Sequence, residues 1–316
     1  MSFAYALFVV FFPWEEISKQ EAWRDFTGYV EYLSSDISPR IEREGIDTLL
    51  GYFTSEVAWD EIMRWLTATV GSAAVALRIS SFFICFVWGA FLFSRMPVRW
   101  ALVFLLNPLS IDVVMSGIRN GFAWSLIILG LASSSHLAKL PMFGIAPFVH
   151  SSSAGLLSLI AVAKIVMAKI KSTIPLIVLP IASGAILGLA LTIGNELVVG
   201  ALRDRRVGDS YVQGGGSVLQ ASFWAILLLV QLASGKAYCR KHAIVTGLLA
   251  WYLTMNFFIP WSYRIWAAFI PVIAFAIWDL PAGKRRFILY LWLGYLVLWY
   301  AYWSKLFDVW YPMLAS

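Results

Sequence analysis

Apolar residues in this chain come in long unbroken runs rather than in alternation with polar ones. The runs cover about 73–93, 99–115, 118–134, 140–150, 151–168, 174–193, 217–235, 243–260, 263–278 and 287–303, with a shorter one at 3–14. Runs of this length read as helices, and a helix needs about 20 apolar residues to cross a hydrocarbon layer. The pattern predicts an all-α polytopic integral membrane protein, one domain over 1–316, with about 10–11 transmembrane or re-entrant helices. The run 140–150 is too short to span alone. Paired with 151–168 it forms a bent or re-entrant hairpin whose turn falls on His150. The run 3–14 has neither a basic n-region nor an A-x-A site, and reads as an uncleaved first span.

The polar segments between the runs set the orientation. Lys139, Lys164, Lys169, Lys171, Lys236, Lys241 and Lys284, with Arg95, Arg99, Arg240, Arg285 and Arg286, collect in alternate short loops. Basic short loops stay on the cytoplasmic side. The chain then starts inside and ends outside. The acid- and aromatic-rich stretch 15–72 becomes a periplasmic amphipathic segment, 194–216 a periplasmic loop, and 304–316 a periplasmic tail. His136 and His242 fall in cytoplasmic loops, and His150 on the outer side.

Composition agrees. Of 316 residues 60% are hydrophobic and only 13% charged, about half the charged share of a soluble chain. The net charge of +6 sits in loops between apolar runs. It is therefore a topology signal and implies no nucleic-acid partner. Cys85 and Cys239 give no disulfide framework. No phosphate loop or dinucleotide fingerprint occurs, and no cofactor is implied.

Several outward residues could carry chemistry. Arg119 and Arg264 each open an apolar helix, where a helix N-terminus already favours an anion. Two planar guanidinium forks on one side suit a diphosphate. The plainer alternative for each is snorkelling to headgroups, or pairing with an acid such as Asp112. His150, followed by three serines, could move a proton or bind a substrate hydroxyl, or be a histidine satisfied by a neighbouring helix. With one outward histidine and no outward cysteine, no metal site is expected. Asp25, Tyr29 and Tyr32 share a helix face, and a carboxylate beside aromatic rings suits sugars. The same pattern fits an interfacial helix. Glu44 is a further acid nearby. Arg205 and Arg206 lie in a basic outer loop that reads either as a solvated loop with internal Arg–Asp pairs or as an arm gripping an anionic lipid carrier or glycan.

The order of these elements resembles a known family. D-F-x-x-Y (Asp25, Phe26, Tyr29) follows the first span, and then E-x-x-x-x-L-L (Glu44, Leu49, Leu50). I-R-N-x-x-A (Ile118, Arg119, Asn120, Ala123), H-S-S-S-A (His150 to Ala154) and Y-R (Tyr263, Arg264) complete the series. The pattern resembles the EpsG-type branch of the Wzy-like polysaccharide polymerases. The resemblance implies a glycosyltransferase of the bacterial inner membrane. Such an enzyme joins oligosaccharide repeat units carried on undecaprenyl diphosphate at the periplasmic face. It implies membrane lipids and a chain-length regulator as partners. It also implies catalytic roles for His150, Asp25 and Glu44, and substrate binding by Arg119, Asn120, Tyr29, Tyr263 and Arg264; Arg205 and Arg206 join the substrate-binding set on the gripping-arm reading of their loop. Three other readings fit a multi-span chain of this kind: a glycosyltransferase using a polyprenyl-phosphate sugar, a lipid-linked glycan transporter and an O-acyltransferase.

Overall fold

The computed structural model describes residues 1–18, 24–35, 42, 51–52, 55–169, 172, 174–193, 218–258 and 267–304. Among them the chain is all-α, without a strand. The N-terminal third forms α1 (Ser2–Phe11), α2 (Trp14–Ile17), α3 (Arg24–Ser34), α4 (Val57–Val70) and α5 (Ala73–Phe93). Next come α6 (Val98–Leu105), α7 (Pro108–Met115), α8 (Ile118–Ala132), α9 (His136–Val149), α10 (Ser152–Lys169) and α11 (Pro175–Ile193). The remainder is α12 (Val218–Ala233), α13 (Lys236–Lys241), α14 (Ala243–Met255), α15 (Ile270–Trp278) and α16 (Ala282–Trp303).

Local sequence explains several of these boundaries. Gly71 ends α4 in the left-handed conformation at φ 72°, which glycine adopts without a Cβ penalty. Ser72 then caps α5, accepting from the Val75 amide. The run 99–115 is not one helix. It is broken into α6 and α7, bent by 63°, because Asn107 caps α7 through the Leu109 amide and Pro108 takes its first position. Proline fits a first helical turn but cannot continue the helix before it. The carbonyls freed at the break are taken up by neighbours. Tyr5 donates its hydroxyl to the Leu105 carbonyl, and Tyr300 donates to that of Leu106. In an apolar interior such groups must find partners.

α5 is long and apolar enough to cross a membrane, and α6 with α7 passes the same test as a bent pair. α1, α8 and α14, with parts of α10, α11 and α12, are shorter apolar helices. α5 is the central element, packed by α1, α4 and α8. Trp88, Trp124, Trp224, Trp292 and Trp303 are fully buried, Trp224 against Trp292 and Trp303 against Trp14 and Tyr300.

Two features set the position of the site. Ser81 of α5 donates to the Val114 carbonyl at 2.8 Å, and a Cβ on Gly121 would touch Ile84. α8 therefore begins beside the middle of α5, roughly 15 Å from either end at a helix rise of about 1.5 Å per residue. α4 folds back along α5, where Ser80 donates to the Met63 sulfur at 3.3 Å. Trp59 and Met63 of α4 are buried. The stretch 15–72, expected as a periplasmic amphipathic segment, contributes a packed helix, because Val57, Trp59 and Met63 give α4 an apolar face.

The Arg95 end of α5 is basic. Arg95 stacks on Phe91 and faces Phe275 of α15. At this end Lys284 donates to the Ala233 carbonyl and Arg285 to that of Trp278, capping α12 and α15. Such caps satisfy carbonyls that a helix C-terminus leaves without intrahelical partners.

Candidate functional site

Three chain segments meet beside the middle of α5: the turn before α4, the start of α8 and the α9–α10 turn. The first brings Glu56, which is buried and has a backbone φ of 54° and ψ of 44°. A left-handed backbone is uncommon for a residue with a side chain. Glu56 occupies the N-cap position of α4 but makes no side-chain cap there. Its carboxylate turns instead to the other two segments.

Arg119 of α8 donates from Nη1 to Glu56 Oε2 at 2.5 Å. His150 Nδ1 lies 2.5 Å from Glu56 Oε1. The Ser151 amide and hydroxyl donate to the same Oε1 at 3.2 and 3.3 Å. One carboxylate thus gathers four donors. Its side chain has no solvent exposure, against 21% for Arg119 and 15% for His150. Burial is feasible because the charge is matched by a guanidinium and its lone pairs are filled. The Ser151 amide leads into α10, so the carboxylate also sits at a helix N-terminus, where negative charge is favoured.

The tautomer of His150 follows. Opposite a guanidinium, Glu56 stands as a carboxylate and can only accept. Nδ1 therefore carries the proton that bonds Glu56, and in the neutral ring Nε2 is the acceptor. The turn at His150 is built locally. α9 ends after Pro147, His150 is extended at φ −150°, and its amide closes on the Ala146 carbonyl at 3.0 Å.

Around this centre the guanidinium of Arg119 lies over the Tyr29 ring at 5.1 Å. Tyr29 meets Trp59, Trp59 meets Phe122, and Phe122 meets Phe83 of α5. Ser152 donates to Asn120 Oδ1 at 3.4 Å. One turn along α4 from Glu56, Asp60 accepts from the Tyr32 hydroxyl at 2.8 Å and from Arg64 Nε at 3.0 Å.

Of the residues singled out from sequence, the structure brings together Arg119, His150, Asn120 and Tyr29. Asp112 is buried in α7, and Arg119 meets an acid that the sequence did not single out, Glu56. Asp25 lies in α3, but its side chain falls outside the described residues, as do Glu44, Tyr263, Arg264, Arg205 and Arg206. Phe269, a few residues after Arg264, packs on Trp124 of α8 at 4.9 Å.

Sequence reasoning missed Glu56 and the role of Ser151. A signal was present. The stretch "SEVAWDEIM" places an acid just before a helix with apolar positions at 57, 59 and 63, and Arg119 required a partner.

A second polar cluster lies at the basic end. Asp279 accepts from Lys241 at 2.5 Å and His242 at 2.9 Å. Burial alone would raise the Asp279 carboxyl, but Lys241 and His242 outweigh it and hold it below the usual carboxylate range. Burial pushes the His242 imidazolium down despite Asp279, so its Nε2–H donates from a neutral ring.

Compared with protein-family models, with curated proteins and with solved structures, the chain matches none.

Proposed function

We propose that the chain is a multi-pass protein of the bacterial inner membrane that polymerises undecaprenyl-diphosphate-linked oligosaccharide units at the periplasmic face. The observation that carries this reading is the Glu56–His150 contact. A carboxylate on Nδ1 fixes the ring and leaves Nε2 as the proton acceptor, the arrangement that general-base catalysis uses. Partial exposure of His150 lets a substrate hydroxyl approach it. Arg119 adds a cation beside the base, suited to the charge that develops on a departing diphosphate. Motif order and the sorting of basic loops supply the family and orientation.

In this reaction the acceptor hydroxyl gives its proton to His150 Nε2. Its oxygen forms the new bond to the anomeric carbon of the donor sugar. The bond from that carbon to the diphosphate oxygen breaks, and the lipid diphosphate leaves with the electron pair, next to Arg119. No oxidation or reduction occurs. Asp25 and Glu44 keep the catalytic roles, and Tyr263 and Arg264 the substrate-binding roles, that the resemblance implies; Arg205 and Arg206 keep the role of an arm that grips the anionic carrier or glycan.

The test is the glycan ladder of cells carrying His150→Ala, Arg119→Ala or Arg264→Ala, with protein levels checked by blot. Removal of a general base costs about 10²–10⁴-fold, so His150→Ala leaves single repeat units. Normal ladders from well-expressed His150→Ala would refute the reading. A transporter of lipid-linked glycans is the second reading. It is favoured by the bent α6–α7 pair and by a buried ion pair where short helices meet, features that also line transport paths. Single repeat units that build up on the periplasmic side in His150→Ala support polymerisation; accumulation inside supports transport.

A further inference from the structure

We infer that Glu56 is a positioning residue that couples diphosphate binding to the strength of the His150 base. The inference rests on the polymerase reading and deepens it. Its basis is the division of labour between the two carboxylate oxygens. Oε2 holds Arg119; Oε1 holds His150 Nδ1 and both donors of Ser151. Cation and base are therefore joined through one buried group. A change at one oxygen is felt at the other.

Without donor substrate, Arg119 draws on the Glu56 charge and adds its own positive charge close to His150. When a diphosphate engages Arg119, phosphoryl oxygens compensate the guanidinium. The Glu56 charge is then less engaged by Arg119, its hydrogen bond to Nδ1–H strengthens, and Nε2 takes the acceptor's proton more readily. Ser151 keeps Oε1 in place during the exchange, so His150 stays oriented. The base becomes competent only when the leaving group is seated, and neither water nor a stray hydroxyl is activated before then.

Among the described residues few other charges enter; α7 brings the buried Asp112. From α4, Asp60 and Arg64 bond one another, with Tyr32 of α3 on Asp60. Tyr29 of α3 lies under Arg119. Between Pro141 and Ala163, α9 and α10 bring no charged or titratable residue besides His150.

The experiment uses the full chain purified in detergent, with inorganic diphosphate as the probe. Diethyl pyrocarbonate labels neutral imidazole, and mass spectrometry separates His150 from the control residues His136 and His242. Labelling is followed from pH 5 to 9 with and without diphosphate. In the wild type, diphosphate moves the labelling midpoint of His150 up by about one pH unit, the usual effect of compensating one nearby charge. The controls stay fixed. The shift vanishes in Glu56→Gln and in Arg119→Ala and returns in Glu56→Asp, which keeps the carboxylate. An unmoved wild-type midpoint overturns the inference, as does a full shift in Glu56→Gln. Loss of ladders in His150→Ala without a midpoint shift refutes the coupling alone. A midpoint shift with normal His150→Ala ladders refutes the polymerase reading alone.

Discussion

Arg119→Ala should destabilise the protein more than Glu56→Gln, although both break the same contact. The reason is what each leaves behind. Arg119→Ala strands a carboxylate with no solvent exposure, whereas Glu56→Gln leaves a guanidinium that is 21% exposed and can turn toward water. Breaking a buried pair from one side costs about 3–5 kcal/mol. Glu56 keeps His150 and Ser151 as donors, which places Arg119→Ala at the lower end, about 3 kcal/mol. Glu56→Gln gives up a charged acceptor but strands no buried charge, and costs about 1–2 kcal/mol. Glu56→Leu with Arg119→Met removes both charges and should be less destabilised than Arg119→Ala, a non-additivity that marks direct coupling. The assay is thermal unfolding in detergent, followed by intrinsic fluorescence. A loss of about 3 kcal/mol lowers the midpoint by about 5–10 °C in a chain of this size. If Glu56→Gln lowers it more than Arg119→Ala, or Arg119→Ala falls within about 1 kcal/mol of wild type, the charge argument fails.

Two further outcomes are expected away from the site. Asp279 is held below the usual carboxylate range and His242 below the usual imidazole range. Each contribution is therefore present above the group's ordinary value and lost as pH falls through the lower folded one. Stability at the basic end should fall on acidification, and Asp279→Asn should flatten the acid side of the midpoint-against-pH curve. With Lys241 64% exposed, the Lys241–Asp279 contribution is about 1 kcal/mol or less; an unchanged curve would refute it. Gly130→Ala puts a Cβ 2.4 Å from Phe143 Cε1 and forces α8 off α9. Overpacking of about 1–3 kcal/mol outweighs the helix-propensity gain of up to about 1 kcal/mol. The unfolding midpoint should drop while ladder lengths persist, and a midpoint at or above wild type would mean that Phe143 swings aside freely.

How much of this was legible depended on how strongly each residue is constrained locally. The run 73–93 coincides with α5, because a largely apolar run of 21 residues leaves a helix little choice of boundary. His150 could be placed at a turn because two short runs met there. Arg119 stood out because a guanidinium opening an apolar helix is expensive. The run 99–115 misled. Hydropathy does not register the Asn107–Pro108 break, while cap chemistry does. Glu56 was the least legible. In a stretch full of acids only its place just before an apolar-faced helix separates it from Glu61, which is exposed. Its burial arises only when Trp59 and Met63 carry α4 against α5 and a distant arginine closes on it.

That dependence bears on function. Glu56 and Arg119 are 63 positions apart, so the pair costs chain ordering as well as desolvation. A hydrophobic contact of similar volume would hold α4 against α8 at least as well. Nor does stability require that the same carboxylate reach His150, since any buried acceptor would satisfy Nδ1–H. A guanidinium, an imidazole and a helix N-terminus converge on one buried anion, and the imidazole keeps Nε2 for the substrate proton of the proposed reaction. An anchor between helices needs neither the exposed edge of His150 nor the tyrosine under Arg119. The proposed site, which would seat a charged leaving group beside a proton acceptor, gives each of them a use.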